Sequence, residues 1–237
     1  MPNPYFRFKQ FTVRHDQCAM KVGTDGVLLG AWSDVEHSRR MLDIGTGTGL
    51  IALMLAQRSD ADREAIDIDE AACRQAEGNV AESPFAGRIH ITHASLSDFC
   101  KQRGMKYDRI VSNPPYFVNS LKCPDQQRNT ARHTDTLSID ELMESAAGLL
   151  LPEGRFSVIL PYDQRELLLT AAGDAALFLQ RETLVTPTPG AAPKRVLAEF
   201  GLQACCSPGS TTLTIEIARH TYTDDYIALT KDFYLKM

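Results

Sequence analysis

The sequence predicts one α/β domain with a mostly parallel, seven-stranded sheet, helices on both faces and an antiparallel hairpin at its C-terminal end. Short apolar runs alternate with longer helix-like runs, which is the pattern of a parallel sheet with crossover helices. A glycine-rich loop follows the first strong run, and no linker divides the 237 residues. We expect a lead segment, residues 1–38, that belongs to the same domain as an α/β core, residues 39–237.

The strands are predicted from short apolar or β-branched runs bounded by turn residues. They are Arg40–Ile44, Glu64–Asp67, Ile89–Thr92, Asp108–Ser112 and Arg155–Leu160, with a final hairpin of Val196–Leu202 and Thr212–Ala218. Helices are predicted at Gly49–Gln57, Glu70–Glu82, Ser138–Leu150 and Asp163–Ala172. Ser138 with Glu141 forms a capping box. The two long loops, Asn119–Asp135 and Pro187–Pro193, are expected to lie near a substrate.

The loop after the first strand contains alternating glycines. They are Gly45, Gly47 and Gly49. Such glycines let the backbone approach a ligand closely. Leu50 stands where a dinucleotide fingerprint has Gly or Ala. Asp43 places a negative charge next to the loop, which is unfavourable for binding a pyrophosphate. The pattern favours a cationic ligand, such as an ammonium or a sulfonium, and a plain tight strand–helix turn is the alternative.

Acidic residues close the second strand. Asp67 is placed to accept the hydroxyl groups of a ribose, and Ile68 is suited to pack on an adenine face. Asp69 and Glu70 are typical of the first turn of a helix. We therefore expect a ligand role for Asp67 and a capping role for the two residues after Ile68.

The tetrapeptide Asn113-Pro114-Pro115-Tyr116 closes the fourth strand. Pro115 lacks an N–H and biases Pro114 toward an extended conformation, so the Pro114 carbonyl is free to point into a cavity. Asn113 adds an amide oxygen, and Tyr116 adds an aromatic face. Two acceptors and a ring suit the planar exocyclic amine of a purine, whereas a simple Pro-Pro turn is the alternative.

These motifs resemble a known family. Residues 43–49, Asp67 and the tetrapeptide, in that order, resemble class I S-adenosylmethionine-dependent amino-methyltransferases, which have a Rossmann-like fold. The opening of the chain, residues 6–32, and its ending, residues 222–235, resemble bacterial tRNA(Val) adenine-N6 methyltransferases. The resemblance implies S-adenosylmethionine as cofactor and N6-methylation of the adenine at tRNA position 37, in the anticodon loop.

The resemblance also implies roles for matching positions. Residues 20–32 are expected to close over the methionine end of the cofactor, although a helix held only by packing is the alternative. Ser95 stands where the family usually has an Asp that contacts the cofactor's adenine, so either Ser95 or Asp98 is expected there. The expected cofactor contacts are Lys21, Thr24, Asp25, Asp43, Gly45, Thr46, Gly47, Gly49, Asp67, Ile68, Ser95, Asp98 and Asn113. The expected catalytic residues are Asn113, Pro114, Pro115 and Tyr116.

A formal net charge of -5 disfavours RNA binding through overall attraction, so binding requires local basic patches. Three basic stretches are expected to flank the mouth of the pocket and to contact RNA. They are Arg7, Lys9 and Arg14 in the lead segment, Lys122, Arg128 and Arg132 after the tetrapeptide, and Lys194 with Arg195. Solvated loop charges are the alternative for the last pair.

Composition bounds the remaining properties. Six cysteines without Cys-x-x-Cys spacing favour reduced thiols and a cytoplasmic location over a metal centre. No signal peptide and no apolar window of membrane length are recognisable. An acidic pI and the lack of an apolar surface stripe favour a monomer.

Other functions remain as alternatives. Protein glutamine N5-methyltransferases of release factors share the tetrapeptide, because a carboxamide presents the same planar amine, and rRNA amino-methyltransferases are also related. Outside this enzyme class, a non-catalytic RNA-binding protein is disfavoured by the intact acidic and glycine positions. An NAD-dependent dehydrogenase is disfavoured by Asp43 and Leu50.

Overall fold

The structure is a computed structural model that describes residues 3–18, 21–102, 104–115 and 137–237. Its helices are α1 (Thr24–Trp32), α2 (Leu50–Arg58), α3 (Glu70–Ala81), α4 (Leu96–Gln102), α5 (Ile139–Leu149), α6 (Arg165–Asp174) and α7 (Asp224–Thr230). The strands are β1 (Tyr5–Arg7), β2 (Thr12–Arg14), β3 (Arg40–Ile44), β4 (Asp62–Asp67), β5 (Ile89–His93), β6 (Tyr107–Ser112), β7 (Leu150–Pro161), β8 (Phe178–Thr186), β9 (Arg195–Gly201), β10 (Gly209–Thr214), β11 (Glu216–Ala218) and β12 (Thr221–Tyr222).

The main sheet has the strand order β10-β8-β9-β7-β6-β3-β4-β5. Neighbouring strands from β7 to β5 are all parallel, and β9 runs antiparallel to both of its neighbours. Ile44 pairs with Ile66 on one side and with Ser112 on the other, so the carboxyl ends of β3, β4 and β6 are level. The predicted α/β class with a mostly parallel sheet is therefore confirmed.

The predicted pairing of Val196–Leu202 with Thr212–Ala218 in a C-terminal hairpin is wrong. Strand β9 pairs with β7 and β8, and β10 lies parallel to β8. Strand β8 is therefore the eighth strand of a sheet for which seven strands were predicted. The sequence does not predict β8 because Arg181 and Glu182 interrupt its apolar pattern. Both charges are paired inside the fold, with Glu199 and Arg165 respectively, so a polar-looking segment becomes a sheet strand.

Helices cover both faces of the sheet, as predicted. On one face, Leu42 and Ile44 share a core cluster with residues of α4, α5 and α6. On the other face, Met41 and its neighbours pack with α1, α2 and α7. Since side chains alternate along a strand, these two clusters lie on opposite sides of β3.

Two predicted helix starts are confirmed in their capping contacts. The Asp69 carboxylate accepts from the Ala71 amide at 2.8 Å, and the Ser138 hydroxyl accepts from the Glu141 amide at 3.0 Å. Both bonds satisfy an amide that has no partner within its own helix.

The lead segment packs on the core. Strands β1 and β2 form an antiparallel hairpin, and Phe8 and Phe11 are buried in a cluster that includes Phe233 near the C-terminus. Helix α1 is buried through Val27 and Leu28. In the described part of the chain, no helix is both long and apolar enough to span a bilayer.

Candidate active site

Three left-handed glycines shape the loop between β3 and α2. Gly45, Gly47 and Gly49 have φ values of 72°, 56° and 79°, a region that other residues rarely occupy. The amides of Gly45 and Thr46 both donate to the Ile66 carbonyl at 2.9 Å. A Cβ at Gly45 or Gly47 would meet no atom within 4 Å, so the loop borders open space above the sheet edge. That space can admit a ligand.

Asp67, at the end of β4, holds this loop. Its Oδ2 accepts from the Gly47 amide at 2.8 Å, and its Oδ1 accepts from the Asp69 amide at 2.9 Å. A carboxylate offers about four acceptor positions, so hydroxyl groups of a ligand still find acceptors there. Ile68, which is 55% exposed, offers apolar surface beside it. The arrangement suits a ribose with an adjoining base.

Asp43 lies beneath the glycine loop and is only 2% exposed. Its Oδ2 accepts from the Thr46 hydroxyl at 2.7 Å, whereas its Oδ1 has no hydrogen-bond partner among the described residues. Burial raises the pKa of Asp43 to about 7. Hydrogen bonds from the Thr46 hydroxyl and the Ala52 amide lower this pKa, whereas the negative charge of Asp67 raises it further. A buried carboxyl with an unsatisfied oxygen fits a cationic ligand, which would favour its ionised form.

Ser95 and Asp98, the two candidates for the adenine contact, bind each other. The Ser95 hydroxyl donates to Asp98 Oδ2 at 2.9 Å and accepts from the Asp98 amide at 3.1 Å. The hydrogen bond from Ser95 and the ammonium of Lys101 lower the pKa of Asp98. Asp98 therefore carries the charge of this pair, and Ser95 orients it at the start of α4. Which of the two contacts the adenine stays an open prediction.

Asn113 follows β6 at the same sheet edge as the glycine loop. Ser112 pairs with Ile44, and its hydroxyl donates to the Ile44 carbonyl at 2.9 Å, so Asn113 comes level with Gly45. Asn113 is partly exposed, Pro114 is buried and Pro115 is exposed. The Asn113 side chain is thus not shut inside the core. Tyr116, Lys122, Arg128 and Arg132, and the loop Asn119–Asp135, lie outside the described residues.

Two residues with separate expected roles form an ion pair. Asp25, in the first turn of α1, accepts from Arg195 Nε at 2.8 Å. Because β9 runs antiparallel to its neighbours, Arg195 at its start lies on the same edge as the carboxyl ends of the parallel strands. Lys21 and Thr24 are exposed just before Asp25. The predicted cofactor-closing segment and a predicted RNA-binding residue are therefore in direct contact.

The other basic residues differ in what holds them. Arg7 and Lys194 are exposed, and Arg14 pairs with Glu82 at 3.2 Å on the surface. Lys9 Nζ donates to the backbone oxygens of Lys231 and Met237, which ties the lead segment to the C-terminal end of the chain. An RNA contact by Lys9 stays a prediction, and its ammonium already has a structural contact.

Asn79 is a site residue that the sequence does not predict. It is buried on α3, where its Nδ2 donates to the carbonyls of Thr48 and Arg14 at 2.9 Å each. Its Oδ1 accepts from the Arg14 amide at 2.8 Å. An Asn inside a helix pattern is typical of an exposed position, and no motif marks this one.

The cysteines and acidic groups form no candidate metal centre in the residues described. Cys73, Cys100, Cys205 and Cys206 are free thiols, and the described residues contain no group of three or more His, Cys, Asp or Glu side chains that could hold a metal ion. Burial raises the pKa of the Cys73 thiol to about 11, so this thiol stays protonated. Independence from metal stays a prediction.

Together, the sheet order and the site at its carboxyl edge define a class I S-adenosylmethionine-dependent methyltransferase. Solved structures share this fold. Protein Atu636 from Agrobacterium tumefaciens, described as a predicted O-methyltransferase, has a TM-score of 0.68 at 19% identity, covering 88% of this chain and 96% of that one. Ribosomal protein L11 methylase from Lactobacillus delbrueckii subsp. bulgaricus has a TM-score of 0.57 at 16% identity, covering 80% and 83%.

Sequence relatives narrow the class. The sequence model of the methyltransferase small domain family matches residues 20–171. Proteins named tRNA1(Val) (adenine(37)-N6)-methyltransferase from Parabacteroides distasonis and Phocaeicola vulgatus are each 57% identical to this chain over the full length of both. The protein of that name from Actinobacillus succinogenes is 44% identical, covering 98% of this chain and 97% of its own. The chain belongs to the tRNA1(Val) (adenine(37)-N6)-methyltransferase family, which confirms the resemblance seen in the sequence.

Proposed function

We propose that this protein transfers the methyl group of S-adenosylmethionine to N6 of the adenine at position 37 of tRNA1(Val). One structural observation carries the proposal: partly exposed Asn113 is level with the glycine loop that covers Asp43, whose buried Oδ1 is unsatisfied. The names of the full-length relatives supply the substrate.

The residues present fit S-adenosylmethionine. The open space above Gly45 and Gly47 admits its methionine part, and Asp43 offers a carboxyl to its positive charge. Asp67 has acceptors left for the ribose hydroxyls, and Ile68 offers apolar surface to the adenine. When bound, the cofactor supplies an electrophilic methyl group whose leaving group is a neutral thioether.

Asn113 and Pro114 act on the target amine. The Asn113 amide oxygen and the Pro114 carbonyl accept the two hydrogens of N6, which aims the amine and favours a pyramidal nitrogen with a localised lone pair. No strong base is needed, because the proton leaves N6 for water after the methyl group has been transferred. Catalysis therefore depends mainly on position and on acceptors prepared in advance.

The target adenine has to leave its stack, which costs roughly a few kcal/mol. Stacking on Tyr116, worth about 1–3 kcal/mol, offsets part of that cost. Arg7, Arg14 and Lys194, with Lys122, Arg128 and Arg132, contact phosphates around the pocket, so affinity for tRNA falls with rising salt. The protein acts in the cytoplasm as a monomer without a metal ion.

The test incubates the protein with labelled S-adenosylmethionine and bulk RNA from a strain that lacks the gene. Nuclease digestion should yield labelled N6-methyladenosine, and tRNA1(Val) should be the labelled RNA. A tRNA1(Val) transcript with guanosine at position 37 is the matched control and should stay unlabelled. Label in ribosomal RNA or in protein glutamine instead would overturn the proposal.

A further inference from the structure

One buried amide connects the glycine loop to the lead segment. Asn79 is 1% exposed and makes three hydrogen bonds of 2.8–2.9 Å. One goes to the carbonyl of Thr48 in the glycine loop. The other two go to the carbonyl and the amide of Arg14 at the end of β2. A single side chain on α3 thus holds two backbone segments that are distant in sequence.

The contact from Asn79 to Thr48 lies in the part of the glycine loop that is expected to bind the cofactor. Thr48 lies between Gly47 and Gly49, which both have left-handed backbone conformations. The Gly47 amide is bound to Asp67, which is expected to hold the ribose. Asn79 therefore fixes the loop one residue beyond the contact made by Asp67, and together they leave this part of the loop little freedom to shift.

The lead-segment contact is reinforced by a second amide on the same face of α3. Gln75, one turn before Asn79 and 5% exposed, accepts from the Gln17 amide at 2.9 Å. Phe8 and Phe11 also bury the hairpin, but apolar contact is not directional. Hydrogen bonds to the backbone are directional, so the amides determine where the segment lies along α3.

We propose that Asn79 is a positioning residue that keeps the lead segment in register with the glycine loop. RNA bound by the lead segment then meets the cofactor at a set distance. This inference rests on the proposed function, in which the glycine loop binds the cofactor and the lead segment binds RNA. Gln75 contacts Gln17 in the lead segment and, among the described residues, makes no hydrogen bond to the glycine loop, so its loss should affect RNA binding more than cofactor binding.

The experiment compares three variants of the full chain. Asn79→Ala removes the bridge, and Gln75→Ala removes only the contact to Gln17. Leu168→Ala is the matched control, because Leu168 is fully buried in α6 on the opposite face of the sheet. Calorimetry gives the Kd for S-adenosylmethionine, and initial rates give kcat and KM for tRNA1(Val). All measurements are made well below the lowest Tm of the set.

We expect Asn79→Ala to raise both the cofactor Kd and the tRNA KM about tenfold, because it removes one hydrogen bond to the glycine loop and two to the lead segment. Gln75→Ala should raise the tRNA KM and should raise the cofactor Kd less than Asn79→Ala does, because it leaves the glycine loop in place. Leu168→Ala should lower Tm and change neither constant. If Asn79→Ala fails to fold, Asn79→Ser, which keeps a hydroxyl donor, takes its place.

A lowered Tm with an unchanged Kd and KM would show that Asn79 only stabilises the fold, and would overturn the inference. Failure of the wild-type protein to methylate tRNA would overturn the proposed function and the RNA half of the inference. In that case a raised cofactor Kd in Asn79→Ala would still support the loop half, and an unchanged Kd would overturn it.

Discussion

Arg195 donates from Nε to Asp25 Oδ2 at 2.8 Å, and the two side chains are only 28% and 20% exposed. The pair connects the first turn of α1 to the first residue of β9. Asp25 belongs to the segment expected to close over the cofactor, and Lys194, next to Arg195, is expected to contact RNA. The ion pair therefore makes the position of the cofactor-closing segment depend on the position of the start of β9, and the reverse.

Breaking this pair should weaken cofactor binding. A partly exposed ion pair is worth about 1 kcal/mol, so Asp25→Asn or Arg195→Gln should each raise the Kd for S-adenosylmethionine about fivefold. Calorimetry on the double variant should show no larger effect than the stronger single one, because both remove the same interaction. Lys194→Gln, at an exposed neighbour, is the control and should leave this Kd unchanged. Additive single effects would mean that the two residues act independently.

Asn113→Ala should abolish turnover while cofactor binding persists. Removing a prepared polar group from an active site typically lowers kcat by about a hundredfold to a thousandfold. The measurements are methyl transfer to tRNA1(Val) and calorimetry with S-adenosylmethionine. Leu168→Ala, which removes a buried side chain from the core on α6, is the control and should lower Tm with only a small effect on kcat. Joint loss of turnover and of cofactor binding in Asn113→Ala would show that Asn113 is structural.

The raised pKa of Asp43 makes stability depend on pH. The carboxyl titrates at 3.8 when unperturbed and at about 7 in the folded protein, so the folded state binds its proton more tightly. The free energy of unfolding contributed by this group should therefore fall as pH rises from about 4 to about 7. Chemical denaturation at several pH values checks this, and Asp43→Asn should remove this component of the slope.

The same group predicts pH-dependent cofactor binding. A bound cation favours the ionised carboxyl, so affinity for S-adenosylmethionine should rise with pH below about 7, by at most about tenfold per unit, and level off above it. Calorimetry in buffers of different ionisation enthalpy should detect proton release on binding. An unchanged slope in Asp43→Asn would assign the titration to another group.

Gly47→Ala should weaken cofactor binding more than it affects folding. Alanine at φ 56° is strained by roughly 1 kcal/mol, and its methyl group would project into the space left for the ligand. Gly78→Ala is the matched control, because Gly78 is exposed inside α3 with nothing within 4 Å of a Cβ. It should raise Tm slightly and leave the Kd unchanged. Equal Kd values for the two variants would mean that no ligand occupies the loop.

Local sequence was sufficient for the elements that carry the motifs. The predicted bounds of β3 match the structure, and β4, β5 and β6 begin or end within one or two residues of their predicted limits. Their apolar runs are short and bounded by glycine, acidic residues or proline, so each is recognisable without its partners. The parallel order then brings the loop, Asp67 and Asn113 to one edge.

By itself, the sequence determined the α/β class, the cofactor motif and the family, because these depend on residues close together in the chain. Only the tertiary structure decided the pairing of β8 with β9, the Asp25–Arg195 ion pair and the bridge made by Asn79. Each of these depends on a polar or charged side chain whose partner is distant in sequence. Burial of such a group is favourable only when that partner is present, so its role is invisible until the chain is folded.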